Sequence, residues 1–286
     1  MNKIILSADS TCDLGEELKE ACKVSYYPFH IEYRGASYLD SVDITPEELY
    51  EGFYADGSLP KTAAVNVIEY LEYFRSLTAD GSEVIHFNLG SALSSSYDHA
   101  CLAAAEVPGV YVLDSCNLST GTGQLVMRAA RMIEQGLGAP EIVEAVEAMR
   151  ARVRASFVLD TLEFMAAGGR CPQLLSHVGG ALHLRPEIIV DNSDGSMHVG
   201  RLHHGSMRKV LKEYVRSLVR HNPDILTDDV FVTHSGAIDQ ALIELVTTEL
   251  RECLPDLERI HVTRASCTIS SHCGPGCLGV LFVTGE

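Results

Sequence analysis

Three uncharged hydrogen-bonding side chains stand on glycine- or serine-rich turns: Thr62 in LPKTAAVN, Ser94 in NLGSALSSSYDHA and His272 in SHCGPGCLG. Two hydroxyls and a neutral imidazole can hold a small anionic head group, a carboxylate or a phosphate, without any fixed charge. The run at Ser94 is a small-residue loop entering a helix after an apolar strand. Free backbone amides and the helix dipole favour an anion there, although the same residues equally serve as a plain N-cap. Thr62 precedes a helix whose own cap is expected at Asn66, which leaves the threonine hydroxyl free for a ligand oxygen. At His272, the turn Gly274, Pro275, Gly276 is expected to join two strands and to let backbone approach a ligand closely.

Further residues carry alternatives. Arg170 follows two glycines at a predicted helix end, with Pro172 opening the next helix; it either reaches a phosphate or acidic partner or compensates the helix dipole. Asp9, Ser10 and Thr11 follow the first predicted strand, where open α/β sheets bind ligands, yet they are also suited to cap the next helix. Nine cysteines lie at irregular spacing with no C-x-x-C pair, so no disulfide framework is expected. His272, Cys273 and Cys277, with Cys267 upstream, are chemically suited to zinc. However, CGPGC puts both thiols on one tight turn and no second pair completes four ligands, so buried neutral thiols are the expected state.

The elements that must position these groups alternate between strand and helix. KIILSA reads as a first strand, followed by a helix DLGEELKEAC with Asp13 and Glu16 as a capping box. VSYYPFHIEY reads as a strand reversing at RGAS. Thr45, Pro46 and Glu48 start another helix, and Asn66 with Glu69 starts one over 66–79. The strand EVIHFNL, a helix over 94–105, the strand GVYVLDS and helices over 119–136 and 140–154 complete this half, the pattern of a parallel sheet covered by helices. After SFVLDT and the helical LEFMAAG, a helix is expected over 172–183. EIIVDNSDGSMHVGRLH then reads as a hairpin turning at Asp-Gly, followed by a helix over 206–221, the strand DVFVTHS, a helix over 238–253, and the strands RIHVTRA and CLGVLFVTG. The pattern predicts an α/β fold of two domains: residues 1–155 with a mainly parallel sheet, and a smaller α+β domain over 156–286, a boundary that need not be continuous.

The chain has 286 residues, 46% of them hydrophobic, and a net charge of −17. That size suits two ordinary domains better than one core. The acidity disfavours nucleic acid and leaves at most transient contact with an anionic membrane. No segment approaches the roughly 18 apolar residues of a membrane span and no signal peptide is visible, so a cytoplasmic location is expected.

In their order along the chain, DSTCDL, KTAAVN, LGSALSSSY, VLDSCNLSTGTG, LEFMAAGGR, LRPEIIVDNSDG and SHCGPGCLG resemble the DegV family of bacterial lipid-binding proteins, which includes the fatty-acid-binding subunits of fatty acid kinase. The resemblance implies a fatty acid held in an apolar tunnel, its carboxylate bound by Thr62 and Ser94 with His272 close by. It implies docking of a kinase subunit at Arg170 and Arg201, a carrier that presents the carboxylate for acyl-phosphate formation without catalysing anything itself, and no cofactor or metal. The residues alone keep a second reading open: an enzyme or binding protein acting on a phosphorylated small molecule, from the serine-rich turn and Arg170. A zinc-dependent hydrolase is a third, from His272 and the nearby thiols.

Overall fold

The computed structural model describes residues 3–177 and 184–285. Its first half builds around the apolar strand β1 (Ile4–Asp9). Helix α1 (Gly15–Cys22) leads to β2 (Val24–Tyr27), and a hairpin follows, β3 (His30–Tyr33) and β4 (Ala36–Leu39). Arg34 and Gly35 both take positive φ at its turn, as a two-residue hairpin matched to strand twist requires. Helix α2 (Pro46–Asp56) starts with the Thr45/Glu48 capping box and Pro46 in its first turn. The three-residue strand β5 (Lys61–Ala63) then joins β3. Helix α3 (Val67–Thr78) starts with the Asn66/Glu69 box. Next come β6 (Glu83–Asn88), α4 (Ser96–Ala104), β7 (Val110–Asp114), α5 (Thr120–Glu134) and α6 (Ala139–Arg150).

Strands β2, β1, β6 and β7 form a parallel sheet in that order. Residues Val84–Asn88 of β6 are all buried, as expected of a parallel strand covered on both faces. The pairs α3–α4 and α5–α6 supply that cover.

The second half contains β8 (Val153–Val158), α7 (Glu163–Gly168), β9 (Leu184–Val190), β10 (Met197–His204), α8 (Met207–His221), β11 (Val230–His234), α9 (Gln240–Cys253), β12 (Ile260–Arg264), α10 (Cys267–Cys273) and β13 (Leu278–Val283). Six of these strands make a mixed sheet ordered β10-β9-β8-β13-β11-β12, in which only β11 and β12 run parallel. Residue 155 lies inside β8. Alternation along β13 divides the core by face: Leu278, Val280 and Phe282 join α8 and α9, whereas Leu281 and Val283 belong to the cluster that contains α5. Helix α5 packs against strands of both sheets.

Four expectations change. Asp13 caps nothing: α1 begins after Leu14 without a side-chain cap, and Asp13, with φ of 54°, turns inward. The helix expected at 140–154 ends at Arg150, because Val153 and its successors enter the second sheet. Residues Pro172–His177 form a 3-10 turn, and 178–183 of the helix expected there lie outside the described residues. The region before Gly-Pro-Gly is the helix α10, not a direct strand-to-strand turn, and β11 separates β12 from β13 in the sheet.

Asp13 explains the first of these. It is buried, accepts from Ser119 Oγ at 2.6 Å and from the Ser266 amide at 2.9 Å, and thereby ties the loop after β1 to the starts of α5 and α10. Burial pushes its carboxyl well above the usual carboxylate range, against the lowering effect of those two donors. Removing it strands two buried donors, each costing about 1–3 kcal/mol. Asp13→Ala is therefore expected to lower stability by about 2–4 kcal/mol in urea unfolding, with a smaller loss for Asp13→Asn. An unchanged midpoint for the alanine variant contradicts this assignment.

Candidate functional site

Helix α10 is fastened at its start by two buried carboxylates. Asp13 takes the Ser266 amide, and Asp40 takes the Cys267 amide at 2.7 Å while also accepting from Ser10 Oγ at 2.6 Å. Ser266 caps the helix through the Ile269 amide. These acceptors satisfy free amides at a helix start and sit where its dipole favours negative charge. At the other end, Gly274 takes φ of 72° and ψ of 177°, and a side chain on it would press on Phe164 and Thr161 at under 3 Å. Both ends of the seven-residue helix are thus constrained, and the face bearing Thr268, Ile269, His272 and Cys273 is turned into one cavity.

That cavity has a volume of about 160 Å³. Thr62, Ser94, Ser95, Arg170 and His272 line it together with Phe29, Leu89, Leu93, Leu118, Met165, Met197, Thr268, Ile269 and Cys273. Thr62 arrives on β5, opposite Ile31 of β3, and its Oγ1 lies 2.9 Å from His272 Nε2. Ser94 stands just before α4 and accepts from the Ser96 amide at 3.2 Å, so it does cap-like work and faces the cavity as well. The sequence-predicted trio therefore converges, from three segments far apart in the chain.

The cavity also carries a fixed charge, contrary to the expectation of a wholly uncharged head-group site. Arg170 donates through Nε to Leu93 O at 3.3 Å and through Nη1 to Gly168 O at 2.7 Å. Its guanidinium stays exposed at the rim. Arg201 is elsewhere: it lines a separate groove formed by β8, β9 and α8, with Arg154 and His221.

Burial, and secondarily the Arg170 charge, lower the His272 pKa to about 4, so the ring is neutral near pH 7. Its Nδ1 has no hydrogen-bond partner and packs against Gly168, where an added Cβ would fall 2.1 Å from that nitrogen. The glycine before Gly169 is therefore the space that admits the imidazole.

The remaining candidates are structural. Asp9 accepts from the Thr11 amide at 3.1 Å and the Leu89 amide at 2.7 Å, and burial raises its pKa to about 6. Ser10 bonds Asp40 and the Phe29 amide. Asp9 caps the short 3-10 turn Ser10–Cys12 through the Thr11 amide, and none of Asp9, Ser10 and Thr11 caps α1, contrary to expectation. Burial pushes Cys267 up to about 12, and Cys277 is raised in the same direction. Among the described residues, no group of three or more His, Cys, Asp or Glu side chains is arranged to hold a metal ion, and no helix is long and apolar enough to cross a membrane.

Sequence reasoning missed the apolar wall and Thr268. Thr268, Ile269, His272 and Cys273 follow helical i, i+1, i+4, i+5 spacing, a signal readable only once CTISSHC is taken as a helix. A second, smaller void of about 20 Å³, lined by Phe157, Ala265, Cys277, Gly279 and Leu281, shares Leu118, Ile269 and Cys273 with the main cavity. Those three side chains border both voids.

A mixed α/β fold with a parallel sheet and this cavity matches a known family. The profile described as "Uncharacterised protein, DegV family" matches residues 3–285, and the chain belongs to the DegV family. A DegV domain-containing protein of Caldanaerobacter subterraneus is 31% identical over 284 residues, 99% of each chain. A DegV family protein from Thermus thermophilus, described by its fatty acid binding, superposes with a TM-score of 0.90 at 26% identity, over 99% of this chain and 100% of that one. A stearic acid-binding protein from Eubacterium ventriosum does so with a TM-score of 0.84 at 26% identity, over 99% and 98%.

Two outcomes test the site. Gly168→Ala must displace the imidazole and is expected to break its bond to Thr62 and to cost about 1–3 kcal/mol by overpacking; unaltered thermal unfolding together with an unmoved His272 ring signal in NMR contradicts it. The His272 pKa lies below its unfolded value near 6.5, so the unfolded chain binds more protons between about pH 6.5 and 4, and stability falls as pH drops through that window. Asp9, raised to about 6, acts in the opposite sense. Comparison with His272→Gln isolates the histidine: in lipid-free protein the variant should gain on the wild type by up to ~3 kcal/mol between pH 6.5 and 4, and parallel pH curves contradict this.

Proposed function

We propose that this protein binds a long-chain fatty acid and presents its carboxylate to a partner kinase for acyl-phosphate formation, doing no chemistry itself. The observation that carries the reading is a single cavity lined by Thr62, Ser94 and His272 together with aliphatic, aromatic and sulfur side chains. Relatives described as fatty acid-binding, at 26% identity over nearly the whole chain, support it.

Hydrogen bonding suggests how the head group is held. The Nδ1 of His272 lacks a partner, and an orphaned acceptor is less costly than an orphaned N–H. The favoured tautomer carries its proton on Nε2 and donates to Thr62 Oγ1, which leaves the threonine proton to donate to the ligand. Ser94 Oγ, already accepting from the Ser96 amide, likewise has its proton free for a carboxylate oxygen. Arg170 at the rim adds attraction for an anion and faces the side from which a kinase would approach; in this proposal it contributes to partner docking. Arg201, on a separate groove, belongs to that docking surface only if the partner spans both.

The tail supplies most of the affinity, at about 0.8 kcal/mol per buried methylene. An apolar cavity of about 150 Å³ takes up a molecule the size of benzene, so the main cavity, of similar volume, holds the first part of a chain. In this proposal the remainder displaces Leu118, Ile269 and Cys273, which border both voids, and reaches toward Phe157 and Leu281. The proposal includes a cytoplasmic location, two domains divided near residue 155, and no resident cofactor. Arg170 beside Ser94 and Ser95 at the start of α4 favours a second reading, a phosphorylated small molecule, against which the apolar walls weigh.

Organic extraction of purified protein with mass spectrometry is expected to release about one long-chain fatty acid per chain. Thr62→Val and Ser94→Ala should each reduce retention roughly fivefold or more with the fold intact, while Arg170→Ala should spare binding and slow phosphorylation of the acid by an added kinase subunit. Thermal protection by sugar phosphates but not by fatty acids overturns the proposal.

A further inference from the structure

The described site leaves one buried hydroxyl on the cavity wall unused. Thr268 is 2% exposed, its Oγ1 has no hydrogen-bond partner among the described residues, and it lines the cavity. Of the other buried side chains with an unpartnered polar atom, Asn88, Gln124, Ser271, His86 and His203 do not line it, and His272 is accounted for by its tautomer. A buried hydroxyl without a partner is costly, and valine has nearly the same shape without that cost. A threonine here is therefore explained best by a polar atom that enters the cavity.

Its place on α10 says which atom. Thr268 precedes His272 by four residues, just over one helical turn and about 6 Å along the axis. His272 is bonded to Thr62, so Thr268 lines the same cavity displaced along the helix from that pair, in a lining that also holds the buried Phe29, Leu89 and Ile269. A carboxylate held by Thr62 and Ser94 leaves only methylenes opposite Thr268 if the chain is unsubstituted. We propose that Thr268 Oγ1 hydrogen-bonds an oxygen carried on the acyl chain itself, so that the preferred ligand is a fatty acid hydroxylated near its carboxyl end. The inference rests on the fatty-acid reading above and narrows its substrate class.

The test uses the full chain stripped of lipid, with hexadecanoic acid and monohydroxy-hexadecanoic acids substituted at successive positions near the carboxyl. Binding is measured by calorimetry. At least one hydroxy acid should bind roughly 5–10-fold tighter than the parent acid. Thr268→Val should abolish that preference while binding the parent at least as well as the wild type, and Thr268→Ser, which keeps the hydroxyl, should retain the preference. Equal binding of all the acids overturns the inference and leaves the fatty-acid reading standing. Equal weakening of parent and hydroxy acids by Thr268→Val also overturns it, because the hydroxyl would then serve the carboxylate. Failure of the wild type to bind any of the acids overturns the fatty-acid reading itself.

Discussion

The arrangement depends on two buried carboxylates at the start of one short helix. Asp13 and Asp40 hold the amides of Ser266 and Cys267, and both lie in the first forty residues, whereas the helix they fasten is near the other end of the chain. A seven-residue helix has little stability of its own. Its position comes from these tertiary bonds and from the Gly274 turn, whose carbonyl accepts from Ser235 Oγ at 2.5 Å. Everything the helix shows to the cavity, His272 and Thr268 included, inherits its placement from acids that do not line it.

The same logic explains why the cavity persists. Several of its polar side chains are fixed by protein partners: Ser94 by the Ser96 amide, His272 by Thr62, Arg170 by two carbonyls. Side chains held this way keep their donors aimed without collapsing the space between them. Gly168 contributes by lacking a side chain where the imidazole must lie. The apolar wall comes from α7, α10, β10 and the loops after β2, β6 and β7, so no single element can close it.

Much of this was legible in the residues, for identifiable reasons. Strong local signals, such as the Thr45/Glu48 and Asn66/Glu69 boxes and the apolar Val84, Ile85 and Phe87 of β6, gave the right elements because local and tertiary preferences agree there. Thr62, Ser94 and His272 were recognisable as hydrogen-bonding groups in permissive backbone and line one cavity, with Thr62 and His272 in contact. The failures share one cause. Asp13 looked like a helix cap because aspartate followed by glutamate at that spacing is a cap signature, but its true partners, Ser119 and Ser266, are more than a hundred residues away. Strand β5 has three residues and exists only because β3 is beside it. Helix α10 was hidden by the glycine and proline that follow it, and with it went the spacing that puts Thr268 on the cavity wall. Arg201 lies on a groove separate from the cavity, with Arg154 and His221, and its docking role stays part of the proposal.

The central claim is that an acyl carboxylate rests against Thr62 and Ser94 with its chain in the apolar cavity. Its most direct measurement is the ¹³C spectrum of carboxyl-labelled hexadecanoic acid added to the lipid-free protein. The account predicts a single bound carboxylate resonance, distinct from free and micellar acid, that shifts in Thr62→Val and in Ser94→Ala. A bound resonance indifferent to both substitutions, or none at all, contradicts it.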